Sequence, residues 1–248
     1  MRTITLEEHF VTRSYNEAVG RSELQPPAIL ERLLDLGAGR IAAMDEAGVD
    51  LQVMSLVTLG IDRLDRSTSV VRDVNDELGA AVAENPERLQ GFATVALKDP
   101  DAAIAELERM AAKSGFVGVM VSGTVEGRFL DDARFLPFLE AAASLKLPVY
   151  LHPDFPPQPV KDVYFSGLEE NAARALSIAG WGWHAETALH TLRMIVAGVF
   201  DRVPALQLVI GHMGEGIPFA LARSSHVLSQ AAPKLQRKVA DTSRPIFT

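Results

Sequence analysis

The 248-residue sequence contains no cysteine. That excludes disulfides, thiolate-held metals and a cysteine nucleophile, and nothing then demands an oxidising compartment, so the cytoplasm is the expected location. Basic residues are also scarce: 24 Lys and Arg against 32 Asp and Glu give a formal charge of −8, with no block dense enough to follow a phosphate backbone. Nucleic acid is not an expected partner. No window approaches an uncharged membrane span, and Arg2, Glu7, Glu8 and His9 interrupt the N-terminus where a signal-peptide core needs apolar residues. A membrane is not an expected partner either. Internal repeats and low-complexity tracts are absent as well.

What is present is enough apolar chain, 48% of residues, to bury a full core, and the expectation is a single domain over residues 1–248. Short β-branched or apolar runs alternate with longer amphipathic stretches, the pattern of repeated βα units and a parallel sheet in an α/β fold. The strand candidates are Thr3–Leu6, Leu51–Leu56, Leu89–Val95, Phe116–Val121, Leu147–Leu151 and Leu206–Ile210. Helices fill the gaps. Residues 99–115 show the pattern best, opening on Asp99-Pro100, repeating Ile104, Leu107 and Met110 at helical spacing, and closing on Gly115; residues 132–146 repeat it. Two connections, 10–38 and 153–170, are longer than packing needs and read as functional loops, the second stiffened by Pro153, Pro156, Pro157 and Pro159.

Three of the six histidines close strand candidates: His9 after "TITLEE", His152 after "LPVYL" and His212 after "LQLVIG". In a (β/α)8 barrel the C-terminal strand ends form the active-site face, so these imidazoles would converge there. Any one alone reads as a core or capping histidine. Three at equivalent ends, with Glu7 placed two residues before His9 on the same strand face, point to a mononuclear metal site. One carboxylate with two imidazoles suits Zn2+, Mn2+ or Fe2+ and leaves positions open for water or substrate. Glu8 then points outward. The glycines of "GHMGEG" allow a tight turn that brings His212 and Glu215 toward one centre, to polarise a substrate oxygen or shuttle a proton, or they simply precede a helix that begins at Pro218. Arg223, further along that helix, reaches either a substrate carboxylate or a surface partner. His226 has no assignable partner. Glu186 and His190 share a helical face, as an intrahelical contact or as a group orienting a ligand. Trp181 and Trp183 read as core.

With these residues in view, the sequence resembles the amidohydrolase-related metal-dependent decarboxylases, the group that contains the γ-resorcylate, 2,3-dihydroxybenzoate and 5-carboxyvanillate decarboxylases. The resemblance rests on "LEEHF" at 6–10, "RIAAMDEAGVDLQVMSL" at 40–56, "PVYLHP" at 148–153, the long block 180–219 and Arg223. It implies Glu7, His9 and His152 as ligands of one divalent ion, Zn2+ or Mn2+, with His212 and Glu215 as catalytic residues. It implies for Arg223 a place near a neighbouring subunit's site, in a homodimer or homotetramer. The family's further aspartate ligand and suspected proton donor, after strand eight, has no counterpart here. The expected fold is accordingly a (β/α)8 TIM barrel truncated after strand six or at the start of strand seven, at "RPIFT". The implied activity is nonoxidative decarboxylation of a small hydroxylated aromatic carboxylate. The alternatives are metal-dependent hydrolysis of a lactone or amide, and an inactive barrel that only binds ligand.

Overall fold

A computed structural model of the chain describes residues 2–20, 27–57 and 60–231. Six strands, β1 (Ile4–Phe10), β2 (Leu51–Leu56), β3 (Leu89–Thr94), β4 (Phe116–Ser122), β5 (Val149–His152) and β6 (Leu208–Ile210), form one sheet in sequence order. Every neighbouring pair is parallel. Each crossover carries helix, as parallel pairing requires. The principal ones are α1 (Ala38–Ala47), α2 (Ser67–Glu84), α3 (Pro100–Ala111), α4 (Leu136–Ser144), α5 (Gly182–Val196) and, after the last strand, α6 (Ile217–Ala231). Asp99 caps α3 by accepting the N–H of Ala102, and Pro100 occupies the first helical position, where the missing N–H costs nothing.

Alternation along the strands divides the core in two. One set of residues, including Met54, Leu56, Leu89, Ala93, Val119, Val121, Val149 and Leu151, packs outward under the helices. The other, Leu51, Val53, Phe92, Met120 and Tyr150, fills the concave side. The sheet is curved enough for its outer strands to meet at their C-terminal ends: Glu7 Oε1 on β1 lies 3.0 Å from His212 Nε2, just past β6. This is a half-barrel of parallel strands with helices outside. Among the described residues β1 and β6 have no strand on their outer edges, and "RPIFT" lies outside the described residues.

A buried polar network ties α2 to β3 and α3. The Asn75 amide donates to the Thr94 carbonyl (2.9 Å) and to Glu106 (2.7 Å), and its oxygen accepts the Thr94 N–H (2.8 Å). Arg109 then donates to Glu106 and to Asp76, so the buried carboxylate is fully engaged.

Three expectations need correction. The first strand does not stop at Leu6; it runs to Phe10, with an irregularity between Thr5 and Glu8 that leaves Glu7 at φ +61. An extra residue in one strand of a pair produces such a bulge and re-aims a side chain. The long connections are not plain loops, since the first holds two short helices, Arg13–Ala18 and Pro27–Leu34, and the second holds Gln158–Tyr164. Trp181 is not core but 61% exposed. No helix of the described residues is long and apolar enough to cross a membrane.

Candidate metal centre and active site

The C-terminal ends of β1, β5 and β6 converge on one carboxylate. Glu7 Oε1 stands 3.0 Å from Nε2 of His212, 3.3 Å from Nε2 of His152 and 3.7 Å from Nε2 of His9. The bulge in β1 turns Glu7 inward, and Tyr150, two residues before His152 on the same face of β5, donates its hydroxyl to Glu7 Oε2. Gly211 matters here because a side chain at that position would meet Glu7 Oε2 at 3.3 Å, so its absence lets β6 approach β1. The turn that follows is left-handed at five successive residues: His212, Met213, Gly214, Glu215 and Gly216 have φ between +47 and +83. For the three non-glycine residues that conformation costs about 1–2 kcal/mol each, strain of the kind that persists where a site requires it.

Each imidazole is held by its other nitrogen. His152 Nδ1 donates to the Pro153 carbonyl (2.6 Å), His212 Nδ1 to Glu215 Oε1 (2.6 Å), and His9 Nδ1 pairs with Ser55 Oγ (3.0 Å). Carbonyl and carboxylate oxygens only accept, so Nδ1 carries the proton in His152 and His212, and Nε2 of each ring faces Glu7 Oε1, where it either shares a proton with that oxygen or offers a lone pair to a cation. Lone pairs facing a carboxylate oxygen need positive charge at their focus, either extra protons or a cation. Donors about 2.0–2.2 Å from one ion sit roughly 3.0–3.5 Å from one another, and the contacts around Glu7 Oε1 fall close to that spacing. Donor atoms of Glu7, His152 and His212 all lie within 4.8 Å of one another. The residues fit a divalent ion.

Electrostatics separates the groups. Burial pushes Glu7 up, but the hydrogen bonds from His152 and Tyr150 and the nearby imidazoles outweigh it and hold the carboxyl at about 2. Burial, with the neighbouring His152, drives His9 down to about 4, so its ring is neutral, the form that binds metals. Burial also pulls His212 down, yet the Glu215 hydrogen bond and the Glu7 and Glu215 charges win and raise it. Tyr150 is raised by burial and by Glu7 and stays a phenol.

The structure thus brings Glu7, His9, His152, His212 and Glu215 together, and it leaves Arg223 apart: that residue is exposed on α6, with no hydrogen bond or ion pair to the cluster among the described residues. Two contributors escaped the sequence reading. Tyr150 carried a usable signal, the same two-residue spacing from His152 that links Glu7 to His9. His184, in the first turn of α5, carried none, because its partner Glu215 is 31 residues further on. His190 does not pair with Glu186; it is buried, its Nε2 accepts the Leu130 N–H at 2.8 Å and its ring stands edge-on to Phe129. His226 bonds Gln230 on the exposed face of α6.

His190 allows a direct test of pH dependence. Burial holds it at about 4 against an ordinary 6.5, so the folded ring is neutral where the unfolded ring takes a proton. Its share of stability is complete above about 6.5 and falls as pH drops toward about 4, a loss of about 3 kcal/mol over the whole window. Urea midpoints at neutral pH and near the bottom of that window should show the drop. The drop should shrink in His190→Gln, whose amide oxygen can accept the Leu130 N–H; an equal drop in the variant contradicts this role.

Comparison with known proteins places this geometry. The amidohydrolase family profile matches residues 21–239. The chain is 37% identical to a γ-resorcylate decarboxylase of Rhodococcus jostii over 242 residues, covering 90% of this chain and 70% of that protein. The structure superposes on 2,6-dihydroxybenzoate decarboxylase from Rhizobium with a TM-score of 0.80 at 31% identity, covering 90% of this chain and 70% of that one. It also superposes on 5-carboxyvanillate decarboxylase from Novosphingobium aromaticivorans, complexed with manganese and 4-hydroxy-3-methoxy-5-nitrobenzoic acid, with a TM-score of 0.83 at 33% identity, covering 95% of this chain and 72% of that one. A profile match across most of the chain, together with relatives of this identity and coverage, establishes that the chain belongs to the amidohydrolase family.

Proposed function

We propose that this chain is a metal-dependent, nonoxidative decarboxylase of a small hydroxylated aromatic carboxylic acid. The observation that carries the reading is the focus of three imidazole Nε2 atoms on one carboxylate oxygen, Glu7 Oε1. The relatives support the substrate class and the metal, since they are named as γ-resorcylate and 5-carboxyvanillate decarboxylases and one was solved with manganese. The reading takes the curved sheet as strands one to six of a (β/α)8 barrel, in which strand ends carry the active site.

Glu7, His9 and His152 would hold the ion, Mn2+ or Zn2+, with Nε2 of His212 beside them, 3.0 Å from Glu7 Oε1. When bound, the ion supplies a Lewis acid and a template for a carboxylate and a neighbouring phenolic oxygen. Tyr150 holds the second oxygen of Glu7, and Pro153 and Ser55 fix the His152 and His9 rings, so the donors are set before substrate arrives. In the reaction the bond from ring to carboxylate breaks, its electron pair stays on the ring carbon, that carbon takes one proton, and CO2 leaves. His212, tied to Glu215, is the group that polarises the substrate oxygen or moves a proton at Nε2. Arg223, exposed on α6, serves a neighbouring subunit's site in a homodimer or homotetramer, states that sedimentation velocity separates from a monomer.

The experiment is a product assay with 2,6- and 2,3-dihydroxybenzoate. Release of CO2 and the decarboxylated phenol, abolished by a chelator and restored by Mn2+, is the expected result. Hydrolysis of a lactone or amide without CO2 would move the activity to the hydrolase branch, and neither product nor bound metal would leave a chain that binds ligand without turnover.

A further inference from the structure

His184 takes no part in the mechanism above, yet it closes the chain of contacts behind it. Its Nδ1 is hydrogen bonded to Oε2 of Glu215. The other oxygen of that carboxylate, Oε1, accepts from His212 Nδ1 at 2.6 Å, and His212 Nε2 then faces Glu7 Oε1 at 3.0 Å. The Glu215 side chain is 0% exposed, whereas His184 and His212 are each 33% exposed, so the carboxylate lies sealed between two imidazoles that reach toward solvent. A carboxylate removed from water has to find a donor for each oxygen. Here each oxygen has one, from two different elements: the first turn of α5 and the left-handed turn after β6.

We propose that His184 is a positioning residue for the reaction: by holding Oε2 it locks the Glu215 carboxylate so that Oε1 fixes the His212 ring and aims Nε2 at the metal centre. The carboxylate torsion is intrinsically broad and two-fold, so one hydrogen bond leaves the group able to turn and the second removes that freedom. The T-shaped packing of the His184 and His212 rings, with centroids 5.8 Å apart, restricts the same pair sterically. The proposal rests on the reading of His212 as a working residue of the site. It also sets the role of this trio apart from a second cation site: donor atoms of His184, His212 and Glu215 lie within 4.8 Å of one another, but the hydrogen bonds already satisfy them.

Two variants and two readouts decide it. His184→Phe keeps a ring and removes the donor; His184→Asn places an amide N–H where Nδ1–H stands. In imidazole 15N–1H spectra of the metal-free protein, the hydrogen-bonded His212 Nδ1–H resonance should be lost or broadened in His184→Phe and retained in His184→Asn. With Mn2+ and dihydroxybenzoate, His184→Phe should lower kcat about 10–100-fold with KM within about threefold, and His184→Asn should recover most of that loss. A His212 resonance and a kcat unchanged in His184→Phe would overturn the proposal, as would His184→Asn being as impaired as His184→Phe. A second equivalent of Mn2+ bound by the wild type and lost in His184→Asn would overturn it in favour of a cation site. Because the spectra need no turnover, an inactive wild type would count against the decarboxylase reading while the resonance comparison still decides the role of His184.

Discussion

His152→Ala is expected to purify without stoichiometric metal and without measurable decarboxylation. His152 is the most buried of the three imidazoles around Glu7, 4% exposed, with its Nδ1 locked on the Pro153 carbonyl and its Nε2 3.3 Å from Glu7 Oε1. The neighbouring donors already have places of their own: His9 approaches from β1, His212 from the turn after β6, and the Tyr150 hydroxyl is held on the other oxygen, Oε2. Groups that only orient a metal-bound histidine are worth about 10–100-fold in affinity or activity, so removing the donor itself should exceed that range. Elemental analysis after dialysis checks the metal, and CO2 release under added Mn2+ checks whether excess ion rescues. One equivalent of tightly held metal in His152→Ala would falsify the assignment.

Glu215→Gln should separate turnover from metal. The substitution conserves shape but places an amide between two imidazoles that each offer a proton from Nδ1. An amide oxygen can satisfy one of them, while the amide N–H group opposes the other, so one ring must change tautomer or turn away. The Glu215 share of what raises His212 is lost at the same time, while that of Glu7 stays. Proton-transfer groups of this kind are worth about 10²–10⁴-fold, and a fall in kcat in that range is expected, with close to one equivalent of metal retained through Glu7, His9 and His152. The variant should melt below the wild type, because the carboxylate is buried and an amide N–H facing an imidazole N–H leaves a buried donor without an acceptor. Wild-type kcat in Glu215→Gln would remove Glu215 and His212 from the mechanism.

The strand ends were legible because a parallel sheet forces chemistry to one edge: a polar residue that terminates a β-branched run, as His152 terminates "LPVYL", is placed by the fold as much as by its own neighbours. The pairing of Glu7 with His9 followed from alternation, although the strand achieves it through a bulge at φ +61 that no glycine or proline announces. Tyr150 obeys the same alternation and was overlooked because a tyrosine in an apolar run reads as packing. His184 shows the limit more sharply. Its role depends on how α5 settles against the turn after β6, a tertiary contact that helical periodicity does not encode. The short helices at Pro27–Leu34 and Gln158–Tyr164 were missed for the opposite reason: both segments read as loops from their length, and the second also from its prolines, although proline can open a helix. Trp181 stands 61% exposed at the position that precedes the first residue of α5.

The central claim is that one divalent ion on Glu7, His9 and His152 is what turnover requires. Titrating the metal-stripped protein with Mn2+, while following bound ion and CO2 release from 2,6-dihydroxybenzoate in the same samples, tests it most directly. The account expects both to rise together and to level off at one equivalent of ion per chain. Turnover that is complete before any ion binds, or saturation of binding at one equivalent with no decarboxylation of any hydroxylated benzoate, would contradict it.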